Sequence, residues 1–467
     1  MSLLTSPILK LCKQFPEYPV IIAYSGGVDS QVLLHAFASL KAQNKISNTL
    51  TVCHVNHGLS KNAELWQSFA KQQADSYLAS FVTQSVNVEA KPQQSLEAMA
   101  REERYKVLFS VSKTPSIVVT GHHQDDQAET LLLALKRGSG LKGLSGIKAL
   151  SSWGEHFLAR PLLGVSRQEV MDYALTHKLE WVEDESNLDQ EFDRNFFRHS
   201  ILPKLKERWP SILSTMARSA QHCEEQQILV DEIAAEDLEV SQISTKVLSV
   251  EKLLTFSNLR FNNLLRYFLS LHRLTMPSSA QVNQVREQLL AKSDKNPAIK
   301  LNDYWLRRYK NELHLTDSFK DVSELKLELG CQSEQKNTNA SVELPDGLGQ
   351  VIVSSSNVLE PKESTKLVNW VKEIKAPSNG QKVEIRFKHD NQNCLPDYRE
   401  KSRSVKKILQ ELNIPSWQRT RIPFLYYDDV LVSAIGFFVC KPFIANAKNR
   451  SVSVMLQTSK ENNSEKL

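Results

Sequence analysis

The chain has 467 residues, 41% of them hydrophobic and 24% charged, an ordinary composition for a water-soluble globular protein and long enough for two or three domains. Its longest apolar run, 430–440, is far short of a membrane span, and the opening MSLLTSPILKLCKQ lacks the basic head of a signal peptide, so a cytoplasmic protein is expected. Six cysteines stand singly with no C-x-x-C, which argues against a disulfide framework and against a zinc or iron–sulfur cassette.

In chain order, the first two hundred residues alternate apolar β-runs with amphipathic segments. Strands are expected over 20–24, 50–55, 81–86, 116–120 and 179–182, and helices between them, for example over 62–78 and 95–111. This alternation predicts an α/β fold with a doubly wound, mostly parallel sheet, whose ligands sit beyond the carboxyl ends of the strands.

The first strand runs into Ser25, Gly26, Gly27, Val28, Asp29 and Ser30 before an apolar helix stripe of Val32, Leu33, Leu34, Phe37 and Leu40. Strand, glycine turn and helix N-terminus together leave backbone N–H groups facing outward, which suits an anion. The Walker pattern and its lysine are absent, as is G-x-G-x-x-G. Asp29 would repel a phosphate unless a cation lay between them, so a phosphate chain with Mg²⁺ is expected. The plain alternative is a glycine turn capped by Ser25 or Ser30.

After the 116–120 strand comes GHHQDDQAETLLLALKRGSG. Ala128, Leu131, Leu132 and Leu135 form its helix stripe, which puts Asp125, Asp126 and Glu129 on the first turns. These acids either complement the helix dipole or hold Mg²⁺ or a cationic substrate at the same sheet edge. His122 and His123 read as turn residues or phosphate donors. Arg104 shares a helix side with Ala100, Val107, Leu108 and Val111, and either lays its stem along the core or reaches a phosphate. Arg194 and Arg198 lie four apart on a helix face.

The 210–291 region is helical in pattern, 299–315 reads as paired strands turning at Lys310 and Asn311, and 331–340 and 354–365 read as polar loops. Between Gln381 and Arg421, ten Lys or Arg face five Asp or Glu, so the whole net charge of +5 resides there. A localised basic patch suits a polyanion. The expected domains are 1–212, 213–320 (mainly helical), a connecting segment 321–367, a small basic α+β domain 368–458, and a disordered tail 459–467.

SGGVDS resembles the PP-loop of the ATP-pyrophosphatase superfamily, whose members cleave ATP between its α and β phosphates. HVNHGLS, GHHQDDQAET, LKRGSGLKGLSGI, RPLL, RNFFRHSILP and the C-terminal SVKKILQELNIPSWQRTRIPFLYYDD narrow the resemblance to the tRNA(Ile)-lysidine synthases. That resemblance implies ATP-dependent ligation of L-lysine to the wobble cytidine of a tRNA(Ile) with a CAU anticodon, through an adenylated base. It further implies ATP held by Ser25 to Ser30, Mg²⁺ on Asp29 and Asp125, and lysine on Asp126 and Glu129. Arg104 and Arg198 would act at the α-phosphate, and Arg403, Lys406, Lys407 and Arg419 on the tRNA. A PP-loop tRNA thiolase and a non-catalytic tRNA-binding module are the alternatives. Oligomeric state is open, a homodimer included.

Overall fold

The computed structural model describes residues 4–56, 62–86, 96–183, 191–290, 297–329, 339–354, 366–446 and 449–459. The expected disordered tail, apart from Ser459, and most of the two expected polar loops lie outside the described residues. Two compact units divide the chain, Met1–Glu232 and Ile233–Leu467. Among the described residues no helix is long and apolar enough to cross a membrane.

The first unit runs α1 (Thr5–Gln14), β1 (Val20–Ala23), α2 (Val28–Ala42), β2 (Leu50–Asn56), α3 (Ala63–Ser76), β3 (Ser80–Ser85), α4 (Leu96–Ser110), β4 (Ile117–Val119) and α5 (Gln124–Lys136). It continues with α6 (Leu141–Leu144), β5 (Leu150–Trp153), β6 (His156–Ala159), α7 (Arg167–Thr176), α8 (Asp193–Phe196), a π-turn (Phe197–Ile201), α9 (Leu202–Arg208) and α10 (Ile212–Ser241). The sheet order is β3-β2-β1-β4-β6-β5, parallel throughout except for the β5–β6 hairpin at one edge.

Successive strand residues point to opposite faces, and both faces are apolar. Val20, Ile22, Val52, Ile117 and Val119 share a core with residues of α1, α2 and α7. Ile21, Cys53, Val118 and Leu158 share another with Tyr105, Leu108 and Phe109 of α4. Each fully buried Leu, Ile or Phe contributes about 1.5–3 kcal/mol, so the strands are held by cover on both sides.

From β1 the chain winds outward to β2 and β3, then returns to the other side of β1 as β4. Strand order therefore reverses between β1 and β4, and the crevice beyond their carboxyl ends is where such sheets bind ligands. The N-termini of α2 and α5 both open there. The approach is tight: a Cβ on Gly121 would lie 2.9 Å from the backbone C and O of Asp29. Gly26 has φ +89°, and a Cβ there would lie 2.6 Å from Val182 Cγ2.

The strand expected over 179–182 is corrected. Leu179 N–H closes onto Ala174 O and Val182 N–H donates to Gly26 O at 3.0 Å. Leu179 and Trp181 pack against the core without joining the sheet, and β6 occupies the place beside β4. Leu135, expected on the buried stripe of α5, is 56% exposed.

The second unit opens with the end of α10, followed by β7 (Gln242–Ser244), β8 (Val247–Ser249), α11 (Val250–Thr255), α12 (Asn258–Leu271), α13 (Ser279–Leu290), β9 (Ala298–Leu301), β10 (Tyr304–Tyr309) and β11 (Glu312–Asp317). The helical character expected for 213–320 is thus shared with an antiparallel sheet, β7-β8-β11-β10-β9. The turn expected at Lys310 and Asn311 joins β10 to β11, where Tyr309 pairs with Glu312.

The remainder is β12 (Lys326–Glu328), β13 (Asn339–Leu344), β14 (Gly349–Ser354), β15 (Lys366–Lys375), β16 (Val383–Arg386), β17 (Asn393–Cys394), β18 (Arg403–Ser404), α14 (Val405–Glu411), α15 (Ser416–Arg419), β19 (Phe424–Tyr427), β20 (Val430–Ala434), β21 (Phe438–Val439) and β22 (Ser451–Ser459). Two sheets, β12-β16-β19-β20-β21 and β13-β14-β22-β15, share one core. Val405, Ile408 and Leu409 of α14 are fully buried.

Gly121→Ala is expected to destabilise the protein by about 1–3 kcal/mol, because backbone cannot yield as a side chain does. Gly27→Ala, whose Cβ would meet only Ser25 Oγ at 3.6 Å, is expected to cost less than about 1 kcal/mol. Urea midpoints of the two variants check the contrast, and equal costs would refute it.

Candidate active site

At the crevice, Gly27 starts α2 in an extended conformation with no side chain capping the helix. Ser30 Oγ donates to Gly27 O at 2.9 Å and Ser25 Oγ lies 3.4 Å from Ser30 Oγ. The serines therefore tie the loop to itself, and the first-turn N–H groups, which helix geometry leaves without intrahelical acceptors, face the crevice. Asp29 Oδ1 is buried with no hydrogen-bond partner among the described residues. Burial pushes the Asp29 carboxyl up, as expected of an anion with no full counter-charge.

Across the β1–β4 gap stands His123, with no solvent exposure. Its Nε2 is 3.6 Å from Asp29 Oδ1 and 3.5 Å from Asp126 Oδ2, and its Nδ1 is 3.8 Å from Asp125 Oδ2. Neither ring nitrogen makes a hydrogen bond among the described residues. Next to it, burial first, and then Arg101, Arg160 and Arg194 against Asp126, drive His122 down to about 3, so that imidazole is neutral. Thr120 Oγ1 lies 2.8 Å from its Nδ1.

The three acids of α5 divide between two sets of partners. Asp125 accepts the Arg167 N–H at 2.9 Å and is in contact with the Lys206 ammonium of α9. Asp126 accepts the His123 N–H at 3.0 Å on Oδ2 and Arg198 Nη2 at 3.2 Å on Oδ1. Glu129, with no exposure, accepts Arg198 Nε at 2.7 Å, Arg198 Nη2 at 3.0 Å and Arg194 Nε at 2.9 Å. Thus the sequence spacing that puts Glu129 beside both aspartates is realised only toward Asp126, through Arg198. Arg198 itself sits in the π-turn, a rare element that re-aims side chains and recurs at functional sites.

Arg104, half-buried on α4, has no carboxylate partner among the described residues. It lies over the Tyr105 ring at 5.7 Å. Burial, and then Arg101 and Arg194 against Tyr105, depress its hold on its proton, the signature of a cation with no anion beside it. Arg160, 8% exposed, donates to Lys148 O at 2.6 Å and keeps a buried Nε with no hydrogen-bond partner among the described residues. Sequence reasoning did not give roles to Arg101, Arg160, Arg167, Arg194 or Lys206. The last carries a signal, standing eight residues after Arg198, close to the same helix face.

Among the described residues no group of three or more His, Cys, Asp or Glu could by itself hold a metal ion. The buried lone oxygen of Asp29 fits a cation shared with a phosphate chain, since Mg²⁺ commonly takes one or two carboxylates and completes its shell from phosphates and water. Asp125, expected as a second ligand, has both oxygens engaged.

Three family models match this chain in series: a PP-loop domain over residues 2–205, the TilS substrate binding domain over 248–314 and the TilS substrate C-terminal domain over 383–456. A tRNA(Ile)-lysidine synthase from Serratia proteamaculans is 40% identical over 421 residues, covering 90% of this chain and 91% of that one. Another from Histophilus somni is 39% identical, covering 91% and 96%. The chain belongs to the tRNA(Ile)-lysidine synthase family. Among solved structures, the U34-tRNA thiolase NcsA from Methanococcus maripaludis with its [4Fe-4S] cluster aligns over 48% of this chain and 79% of that one, at TM-score 0.41 and 18% identity.

Within this lysidine synthase family member, the four expected tRNA contacts differ in availability. Arg403 is in contact with Glu411, and so is Arg399. Arg419 donates to Ile414 O at 2.8 Å and to Tyr309 OH at 3.3 Å. Lys406 and Lys407 are exposed, and neither ammonium has a partner among the described residues.

Burial raises the Asp125 carboxyl, but Lys206 and the Arg167 N–H outweigh it and hold the group below the usual range. Such a carboxylate stabilises the fold above its unfolded value near ~4 and loses that contribution as pH falls through the folded value. Lys206→Met is therefore expected to move acid unfolding to higher pH and to cost on the order of 2 kcal/mol at pH 7, the ion pair being partly exposed. Circular dichroism against pH checks this; an unmoved midpoint would show that the pair is idle.

Proposed function

We infer that this chain ligates L-lysine to carbon 2 of the wobble cytidine of a tRNA(Ile) with a CAU anticodon, consuming ATP and releasing AMP and pyrophosphate. The observation that carries this reading is one sheet edge that offers an anion seat at Ser25 to Ser30 and, across it, the buried carboxylates Asp126 and Glu129 held against Arg194 and Arg198. The run of matching family models along most of the chain supports the same conclusion.

The 2-keto oxygen of cytosine is a poor leaving group. Its attack on the ATP α-phosphate forms a P–O bond, expels pyrophosphate and makes that oxygen part of AMP. The lysine ε-amine then forms the C–N bond as the C–O bond to AMP breaks, and loses a proton on the way.

Ser25, Gly26, Gly27, Val28 and Ser30 cradle the phosphates through backbone N–H groups. Asp29 holds Mg²⁺, which supplies charge neutralisation of the phosphate chain when bound. Asp125, rather than sharing that ion, anchors α5 to Lys206. Arg104 faces the α-phosphate as a fixed cation, a source of transition-state stabilisation that costs no reorganisation. Arg198 adds its Nη1, which enters no hydrogen bond among the described residues. Asp126 receives the lysine α-ammonium, with Glu129 beside it. Lys406, Lys407, Arg403 and Arg419 meet tRNA phosphates, which position the RNA, while the wobble base is unstacked for reaction.

The thiolase alternative is not favoured. Cys12 and Cys53 are buried, with thiols pushed up to about 12, and thiolates are the reactive form.

Purified protein with ATP, Mg²⁺, radiolabelled lysine and unmodified CAU tRNA(Ile) is expected to label the tRNA, and Asp126→Ala to abolish labelling. Release of AMP and pyrophosphate without label would leave adenylation standing and point to another nucleophile. Lys406→Ala with Lys407→Ala is expected to weaken tRNA binding and to reduce the slope of log K against log salt by roughly 1–2. An unchanged slope would remove both lysines from the interface.

A further inference from the structure

Cys394 ends β17 and Cys440 follows β21, and although distant in sequence their thiols are in hydrogen-bonding contact. Backbone brings them together. Lys441 N–H donates to Leu395 O at 2.7 Å and Asp397 N–H to Val439 O at 2.8 Å, the two bonds that flank an antiparallel bridge between Pro396 and Cys440. Cys394 stands two residues before Pro396, hence on the same face as Cys440 and diagonal to it. Both enter one apolar core with Val405, Ile408 and Leu409 of α14.

The two thiols are not equivalent. The hydrogen bond from Cys440 lowers the Cys394 thiol from its usual value against the opposing effect of burial, while that same bond and burial push the Cys440 thiol up. Cys12 and Cys53 are raised by burial alone. The thiolate is the nucleophile in thiol chemistry, so Cys394 is the sulfur that reacts first. It is also the less enclosed of the pair, at 8% exposure against 3%. Cys440 is fixed through its N–H, which donates to Val432 O at 2.9 Å. Cys394 lies in a sheet of two two-residue strands, β17 and β18, whose short ladder opens locally at low cost.

We propose that Cys394 and Cys440 are a peroxide-reactive dithiol that closes a reversible disulfide between β17 and the end of β21. The Cys394 thiolate attacks one oxygen of hydrogen peroxide and breaks the O–O bond; a sulfenic acid forms, and the hydroxide that leaves takes up a proton to become water. The Cys440 sulfur then displaces the hydroxyl of the sulfenic acid, forming the S–S bond and a second water. Two thiols are oxidised and one peroxide is reduced. The bond makes 394–440 a covalent loop that contains α14 and α15. It also clamps the hairpin from which α14 starts, where Val405 N–H donates to Gln392 O at 3.1 Å and Lys406 N–H to Asn391 Oδ1 at 3.0 Å. The site stands independently of the lysine reading above.

The experiment treats the full chain, freed of reductant, with a small excess of hydrogen peroxide, alkylates the remaining thiols and maps the peptides by mass spectrometry. A peptide pair joined through Cys394 and Cys440, and separated again by dithiothreitol, is expected to appear about tenfold or more faster than oxidation of Cys12 or Cys53. Cys440→Ser is expected to abolish the link and to leave a sulfenic acid on Cys394 that dimedone traps. Hydrogen exchange of the amides over 391–405 is expected to slow by about tenfold when the wild type is oxidised, and to recover on reduction. Separate alkylation of Cys394 and Cys440 after Cys12 and Cys53 have been oxidised would overturn the proposal, whatever the variant does. Linkage of Cys394 to a second molecule would overturn it too, and unchanged exchange over 391–405 would overturn the clamp.

Discussion

A carboxylate with no solvent exposure is tolerable only with cations against it, and Glu129 imposes that condition on everything around it. Arg194 and Arg198 answer it from α8 and the π-turn, sixty-five and sixty-nine residues further along the chain. Asp125, one turn earlier, is held by Lys206 of α9. The helix that opens at the sheet edge is thus fixed to the 193–208 segment by charge, and residues distant in sequence form one wall. Such pairs add little net stability compared with apolar packing, but stripping the fully buried Glu129 of its cations leaves an uncompensated buried ion at a cost of about 3–5 kcal/mol. Their value is positional: they decide where the guanidiniums stand.

The opposite wall is built by backbone. Strand reversal between β1 and β4 brings two helix N-termini to one crevice, and Gly121 lets them approach closely. Helix dipoles favour negative charge at both N-termini, yet the two loops are furnished differently. The α2 end leaves its first-turn N–H groups without acceptors among the described residues, an arrangement that suits an anion. The α5 end carries Asp125 and Asp126 on its first turn, Asp126 accepting the His123 N–H and Asp125 the Arg167 N–H, so negative side chains stand where an anion would otherwise be favoured. One edge thus presents an anion-favouring loop and an acidic helix end side by side.

Local chemistry made much of this legible. A glycine turn between an apolar strand and an amphipathic helix suits an anion, and the strands at 20–24, 50–55 and 116–120 follow from burial on both faces, whereas the edge strand at 81–86 is largely exposed. Pairing is another matter. The 179–182 run is apolar because Leu179 and Trp181 cover the core, and nothing in its composition says that a ladder partner is missing. The β5–β6 hairpin turns at Gly154 and Glu155 without the Asn-Gly or Asp-Gly signal, so its claim to the sheet edge was hidden. Within the helical 210–291 region, Ser257 separates α11 from α12 by capping α12 through the Arg260 N–H. The spacing of Asp125, Asp126 and Glu129 fixed their faces, but the division of partners depended on Arg167 and Lys206, which only tertiary structure brings there.

Formal charge counts overstate what a basic segment can offer a polyanion. Of the ten cations between Gln381 and Arg421, Arg399 and Arg403 share Glu411, Lys382 and Arg386 share Glu384, and Arg421 donates to Asp346 at 2.7 Å. A phosphate reaching these groups must compete with a carboxylate already in place, and gains correspondingly less. Lys406 and Lys407 escape this because burial of Val405, Ile408 and Leu409 orients α14 with its other side toward solvent. The apolar stripe of a seven-residue helix thereby selects which charges remain available to an RNA backbone, and the number of such charges, not the sum over the segment, sets the steepness of the salt dependence.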